Sequence, residues 1–213
     1  MTTLTRASVL QVRDLSFAYP SEPALLSDWS VSIAAGVSLL HGDTGSGKST
    51  VLRLFAGTQQ AAAGRLMLAG VDLDTDSAAY RRAVFWCDPS SDAFASITAR
   101  DCTATLCAGD AGFNAAGWQA LVDAFALTPH LDKPMYMLST GSKRKVGLAA
   151  ALASGRALTL LDEPTGGLDA ASIKALMRAL ASRSGHTDRA IVVASAERLD
   201  SIPLAGVIEL PPR

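Results

Sequence analysis

Lys48 and Ser49 close the run His41-Gly42-Asp43-Thr44-Gly45-Ser46-Gly47-Lys48-Ser49-Thr50, and two carboxylates, Asp162 and Glu163, stand side by side far along the chain. From Gly42 to Ser49 the run matches the phosphate-loop pattern G-x-x-x-x-G-K-[ST]. The pattern carries weight only between a strand and a helix. Here Val37-Ser38-Leu39-Leu40 precedes it and Val51-Leu52-Arg53-Leu54-Phe55 follows. Gly42, Gly45 and Gly47 allow the backbone from Gly42 to Thr50 to turn its N–H groups, those of Asp43, Thr44 and Ser46 included, around phosphate oxygens. The following helix adds its positive end. Lys48 is expected to reach the β- and γ-phosphates, and the Ser49 hydroxyl to bind Mg²⁺. A chance glycine-rich turn is the competing reading, and the flanks disfavour it. The run predicts binding of a nucleoside triphosphate.

Asp162 ends an apolar run, Ala157-Leu158-Thr159-Leu160-Leu161, which reads as a buried parallel strand. A carboxylate at such a strand end can hold Mg²⁺ directly or through water. Glu163, one residue on, points differently and can take a proton from a water attacking the γ-phosphate. An acidic pair at a strand end is often only a surface turn. The phosphate loop elsewhere in the chain favours the metal-site reading.

Several elements must position these groups. Val9–Tyr19 alternates loosely and ends at Pro20, Trp29–Ile33 alternates strictly, and Gly64–Gly70 is bracketed by glycines. These are expected to be strands of an antiparallel sheet with one face covered. Tyr19, at the exit of the first, can stack on a nucleobase or pack on its neighbours, and spacing leaves both open. Between about Asp72 and Pro134 the pattern changes. Val84-Phe85-Trp86-Cys87 is a short strand stopped by Asp88-Pro89, and the stretch from Ser90 to Gly117 is weakly periodic. Trp118, Leu121, Val122 and Phe125 then mark one helix face, before Pro129 and Pro134 break the chain. We expect a helical insertion over roughly 88–134 inside a single domain spanning 1–213.

Leu138-Ser139-Thr140-Gly141-Ser142 opens a helix running to about Ala153, with Lys143, Arg144 and Lys145 expected on a solvated face. Ile173, Leu176, Met177 and Leu180 mark another helix, and Ile191-Val192-Val193 another buried strand. The predicted fold class is α/β: a P-loop NTPase with a mostly parallel core sheet, an N-terminal antiparallel β-subdomain and a helical insertion.

Nineteen Lys and Arg against 20 Asp and Glu give a net charge of −1, which argues against a nucleic-acid or polybasic membrane-binding protein. Three cysteines, Cys87, Cys102 and Cys107, lack zinc spacing and read as free thiols. Residues 1–6 have no basic-then-apolar leader pattern. No apolar run approaches the roughly 20 residues of a membrane span. A cytoplasmic chain that meets a membrane only through a partner is expected.

With these residues in place, the chain resembles the nucleotide-binding domain of ATP-binding cassette (ABC) transporters, from about Val9 to Leu210. Leu138–Ser142 is similar to the family signature LSGGQ, with Thr140 and Ser142 substituted. Leu160–Thr165 followed by Gly167-Leu168-Asp169 resembles the Walker B strand and the D-loop. Phe17-Ala18-Tyr19-Pro20 resembles the adenine-stacking loop, which favours the stacking role for Tyr19. The resemblance implies ATP and Mg²⁺ as ligands. It also implies a head-to-tail dimer sandwiching two ATP, each between one subunit's phosphate loop and the other's Ser139, Gly141 and Asp169. Separate transmembrane subunits would then hold the chain on the inner face of the membrane.

Two departures bear on rate. Val193-Ala194-Ser195-Ala196-Glu197 puts Ala196 where the family has a histidine touching the γ-phosphate, and Cys87 or Asp88 fills the slot of a glutamine. Slow hydrolysis is therefore expected, since Lys48, Ser49, Asp162 and Glu163 all remain. The alternative is a nucleotide-gated dimer with negligible hydrolysis, acting as a regulatory or structural module. A soluble family member of translation or DNA repair usually has two cassettes or a long coiled coil, and this chain has neither. The end at Pro211-Pro212-Arg213 leaves no room for a C-terminal regulatory domain, an expectation that resembles small exporters of the haem-exporter type.

Overall fold

The computed structural model describes residues 8–88, 91 and 93–211. The readings at residues 1–6, at Pro89 and Ser90, and at Pro212 and Arg213 lie outside the described residues. In chain order the elements are β1 (Ser8–Ala18), β2 (Ala24–Ala34), β3 (Gly36–His41), α1 (Lys48–Phe55), β4 (Ala63–Leu68), β5 (Val71–Asp72), α2 (Ser77–Arg82) and β6 (Val84–Trp86). There follow α3 (Ala99–Leu106), α4 (Ala115–Ala124), α5 (Thr140–Ala153), β7 (Leu158–Asp162), α6 (Ala170–Ala181), β8 (Ala190–Ser195) and β9 (Gly206–Glu209).

An antiparallel sheet has the order β2-β1-β4-β5, and a second sheet, β6-β7-β8-β3-β9, has parallel pairing throughout. A parallel sheet covered on both faces needs apolar residues at successive positions. Strand alternation then divides them between two cores. Val37, Leu39, Leu161, Ile191 and Val193 face a layer of helices that includes α3, α4, α5 and α6. Leu40, Leu158, Leu160, Val192 and Ala194 face α1 and the antiparallel sheet.

Strand β2 starts five residues before its readable alternation at Trp29. Its register with β1 shifts between Val12 and Leu15 and again near Phe17, which breaks the period of two. Asp14 and Asp28 sit there at φ of 50° and 48°, each with its N–H donated to a serine hydroxyl across the pair. Helix α3 buries only Ala99, Cys102 and Thr103, too small a face to stand out as periodic. Strand β9 has only Val207 and Ile208 as apolar signal. Helix α4 covers the expected Trp118–Phe125 stripe, with Leu121, Val122 and Phe125 buried, and it packs on α5. Arg156 fastens this helical layer to the sheet, donating from Nη1 to the Val84 carbonyl and from Nη2 to that of Leu106.

Candidate functional site

In an open parallel sheet, ligands bind beyond the carboxyl ends of the strands, where loops from several strands converge. The loop after β3 carries Gly42–Gly47, that after β7 carries Glu163, and that after β8 carries Ala196. Register keeps these ends level. Asp162 pairs with Ala194, and Ala194 pairs with Leu40. Strand β8 lies between β3 and β7, so the phosphate loop and the acidic pair start about 10 Å apart.

Side chains close that gap. Lys48 is only 5% exposed, and its Nζ donates to the carbonyls of Gly42 (2.8 Å) and Asp43 (3.0 Å) while lying 3.1 Å from Glu163 Oε1. A nearly buried ammonium needs this many oxygens to offset its lost hydration. Helix α1 starts at Lys48 with no side-chain cap, which leaves its first N–H groups to a ligand. Gly47 must be glycine: its φ is 101°, and a Cβ there would meet Leu25 Cδ1 at 2.5 Å. Ser46 Oγ is buried without a partner inside this loop.

Asp162 Oδ1 is likewise buried with no hydrogen-bond partner. An orphaned carboxylate oxygen at a strand end calls for a cation. With the half-buried Ser49 hydroxyl it fits Mg²⁺, which takes few protein oxygens and completes its shell with phosphate and water. Tyr19 packs edge-on against Phe17, with ring centroids 5.0 Å apart, and its hydroxyl is 2.8 Å from Thr50 Oγ1. The ring is 37% exposed, so it is anchored beside the loop with a free face.

A second group gathers at the start of α5. Ser139 caps the helix by accepting from the Ser142 N–H at 3.2 Å. A Cβ on Gly141 would meet the Gly167 carbonyl at 2.5 Å, so the backbones touch there. Helix α5 packs on the face of the sheet opposite α1, so Ser139 and Gly141 belong to a different layer from the phosphate loop of the same chain.

The expected solvated face at Lys143–Lys145 is corrected by the structure. Arg144 Nη1 donates to the carbonyls of Glu163 (2.7 Å) and Gly166 (2.8 Å), and Lys145 Nζ lies 2.6 Å from Asp169 Oδ2. The one signal in the sequence was that cations at the start of a helix oppose its dipole, and it named no partner for Arg144 or Lys145.

Asp169 caps α6, accepting from the Ser172 N–H at 2.8 Å and from the Ser172 hydroxyl at 2.9 Å. The Lys145 ammonium, helped by these Ser172 bonds, holds its carboxyl well below the usual carboxylate range. A lowered pKa contributes stability above the ordinary value, and this is lost as pH falls. The thermal midpoint is therefore expected to drop below about pH 4. Asp169→Asn should flatten that limb, and added salt should shrink the difference because the Asp169 carboxylate is exposed. Thermal scans from pH 3 to 7 check it; equal slopes would discard this assignment.

Ala196 is exposed just past β8, and the Glu197 N–H turns back to Ser195 Oγ at 3.0 Å. Cys87 and Asp88 line a cavity of about 280 Å³ that also reaches Asp162. Burial, reinforced by Asp88, raises the Cys87 thiol above its ordinary value, and sulfur is a poor ligand for Mg²⁺. The Asp88 carboxylate lies 3.8 Å from Arg53 Nη2 on α1.

The ABC transporter family model matches residues 26–166, a span that holds the phosphate loop, the start of α5 and the acidic pair. The chain belongs to the ABC transporter family. The cobalt import ATP-binding protein CbiO of Rhodobacter capsulatus is 34% identical over 181 residues, covering 81% of this chain and 64% of that protein. The cytochrome c biogenesis ATP-binding export protein CcmA of Rhodospirillum rubrum is 35% identical over 190 residues, covering 89% and 80%. The chain thus spans less than two thirds of the first of these relatives. The solved ATP binding subunit of an ABC transporter superposes with a TM-score of 0.75 at 23% identity, covering 88% of this chain and 79% of that one. The fold is that of ABC ATP-binding subunits, a P-loop NTPase α/β domain, and ATP is the ligand class that goes with it. Among the described residues no helix is long and apolar enough to cross a membrane.

Proposed function

We propose that this ABC chain, as a single nucleotide-binding domain with a helical subdomain over roughly 88–134, binds and hydrolyses ATP, dimerises around two ATP molecules, and drives transport by separate membrane subunits. The observation that carries the hydrolytic part is the 3.1 Å approach of Lys48 Nζ to Glu163 Oε1. It brings the phosphate-binding cation and the candidate base to one spot from two different loops.

In this reading Lys48 exchanges its loop carbonyls for phosphate oxygens when ATP enters, and the N–H groups from Gly42 to Thr50 hold the chain of phosphates. Tyr19 stacks on the adenine. Glu163, released from Lys48, orients the attacking water and accepts its proton. Ser49 and Asp162 would hold Mg²⁺, which when bound would supply positive charge against the phosphates. The partner subunit's Ser139 and Gly141 complete the site from the N-terminus of its α5, with its Asp169 beside them. The exposed Ala196 and the thiol at Cys87 favour slow turnover, and they keep open the second reading, a nucleotide-gated dimer with negligible hydrolysis.

Cargo and direction lie with the membrane partner. The relatives CbiO and CcmA are named for import and export respectively. Placement on the cytoplasmic face of a membrane follows from that partnership. The test is steady-state phosphate release with and without Mg²⁺, together with ATP-dependent dimerisation by size-exclusion chromatography. Mg²⁺-dependent release and an ATP-dependent dimer support the first reading. A dimer without release supports the second, and neither result sinks both.

A further inference from the structure

Glu163 has a φ of 40°, in the left-handed region that a glutamate rarely occupies. Such a backbone persists only where its surroundings hold it. Its N–H donates to the Ala194 carbonyl at 2.9 Å, extending the β7–β8 ladder by one residue. The next residues turn back at once, with the Gly166 N–H donating to the Glu163 carbonyl at 3.1 Å. One group spans this turn from outside: Arg144 Nη1 donates to the carbonyls at both of its ends, Glu163 and Gly166. Gly166 leaves room for it, since a Cβ there would run into Arg144 Nη1.

We propose that Arg144 is a positioning residue for Glu163. Its guanidinium holds the Glu163–Gly166 turn in the conformation that aims the Glu163 carboxylate at Lys48, and it ties that turn to the helix capped by Ser139. The inference rests on the reading of Glu163 as the base. The physical basis is reach. Rotation about the Glu163 backbone swings the carboxylate by ångströms, and a misplacement of about 1 Å in a reacting group can cost about 10²-fold in rate. A cation donating to two carbonyls is a stiff tie, because guanidinium hydrogen bonds are charge-assisted and fixed in plane. The same helix start touches Gly167 through Gly141 and Asp169 through Lys145. A shift of α5 is therefore carried directly to the turn bearing Glu163.

Arg144→Ala, Arg144→Lys, Gly166→Ala and the double variant Arg144→Ala/Gly166→Ala are compared with the unmutated protein. The readouts are phosphate release against ATP concentration, affinity for a fluorescent ATP analogue, and nucleotide-free hydrogen exchange of the segment 163–169. Arg144→Ala should lower kcat about tenfold or more, with KM and analogue affinity within about twofold, and should speed exchange in that segment. Arg144→Lys should recover part of the loss. Gly166→Ala, a substitution outside α5 that displaces the guanidinium, should reproduce it, and the double variant should be no worse than Arg144→Ala. If Arg144→Ala does not fold, Gly166→Ala carries the test alone. Unchanged kcat and exchange would overturn the proposal, as would losses that multiply in the double variant or a parallel fall in affinity. Glu163→Gln is the control. If it turns over like the unmutated protein, the reading of Glu163 as base fails, and the exchange data alone decide whether Arg144 holds the turn.

Discussion

Glu163→Gln is expected to lower phosphate release by about 10²-fold or more, the range lost when a positioned general base is removed. Glutamine keeps the length and one acceptor oxygen beside Lys48, so the 3.1 Å ion pair becomes an ammonium-to-amide hydrogen bond and not a void. Affinity for ATP should change by a few-fold at most, because the phosphate-binding N–H groups lie on the other loop. Fold stability should fall only modestly, since the glutamine amide oxygen and the carbonyls of Gly42 and Asp43 still accept from the nearly buried Lys48 ammonium. The ATP-bound dimer should accumulate in the variant, because closure no longer ends in hydrolysis. Size-exclusion chromatography with ATP and Mg²⁺, beside a phosphate-release assay, checks both halves. Were Glu163→Gln to dimerise no better than the unmutated protein, the gated-module reading would gain, since the unmutated protein would already be trapped.

Ala196→His should act in the opposite direction. One preorganised donor aimed at developing transition-state charge is worth on the order of 10²–10³ in rate, and the unmutated chain has only a methyl group there. Ala196 is exposed and follows directly on Ser195, which pairs with His41 at the mouth of the phosphate loop. An imidazole can therefore extend over the loop without displacing core residues. Turnover is expected to rise by at least tenfold, toward that upper range, with little change in ATP affinity. The gain should vary with pH near 6.5, where histidine titrates. A single-turnover assay across pH 5.5–8 reads both. Turnover in the unmutated protein already equal to that of Ala196→His would remove the case for slow hydrolysis.

Much of the fold was legible because its signals are local. The parallel strands β3, β7 and β8 are apolar at successive positions, as burial on two faces requires. The periodic stripe of α4 survives because its side chains are large. Where the chain uses small residues, as in α3, or bulges, as in β1 and β2, no period remained to be read. In the candidate site, the loop from Gly42 to Thr50 could be placed from sequence because glycines and a helix start dictate its backbone. The fates of Arg144 and Lys145 could not, because their partners lie some 20 residues away in another loop.

The sequence by itself determined the ligand class and the family. A phosphate loop, a signature-like turn and an acidic strand end are each short segments whose chemistry follows from residue type and spacing. Tertiary structure alone decided that Lys48 meets Glu163, that Asp162 keeps an unpartnered oxygen, and that Arg144 grips the turn carrying the candidate base. The first of these depends on the strand order β6-β7-β8-β3-β9 and on its register, which bring Lys48 and Glu163 together from more than a hundred positions apart. No local pattern encodes that pairing.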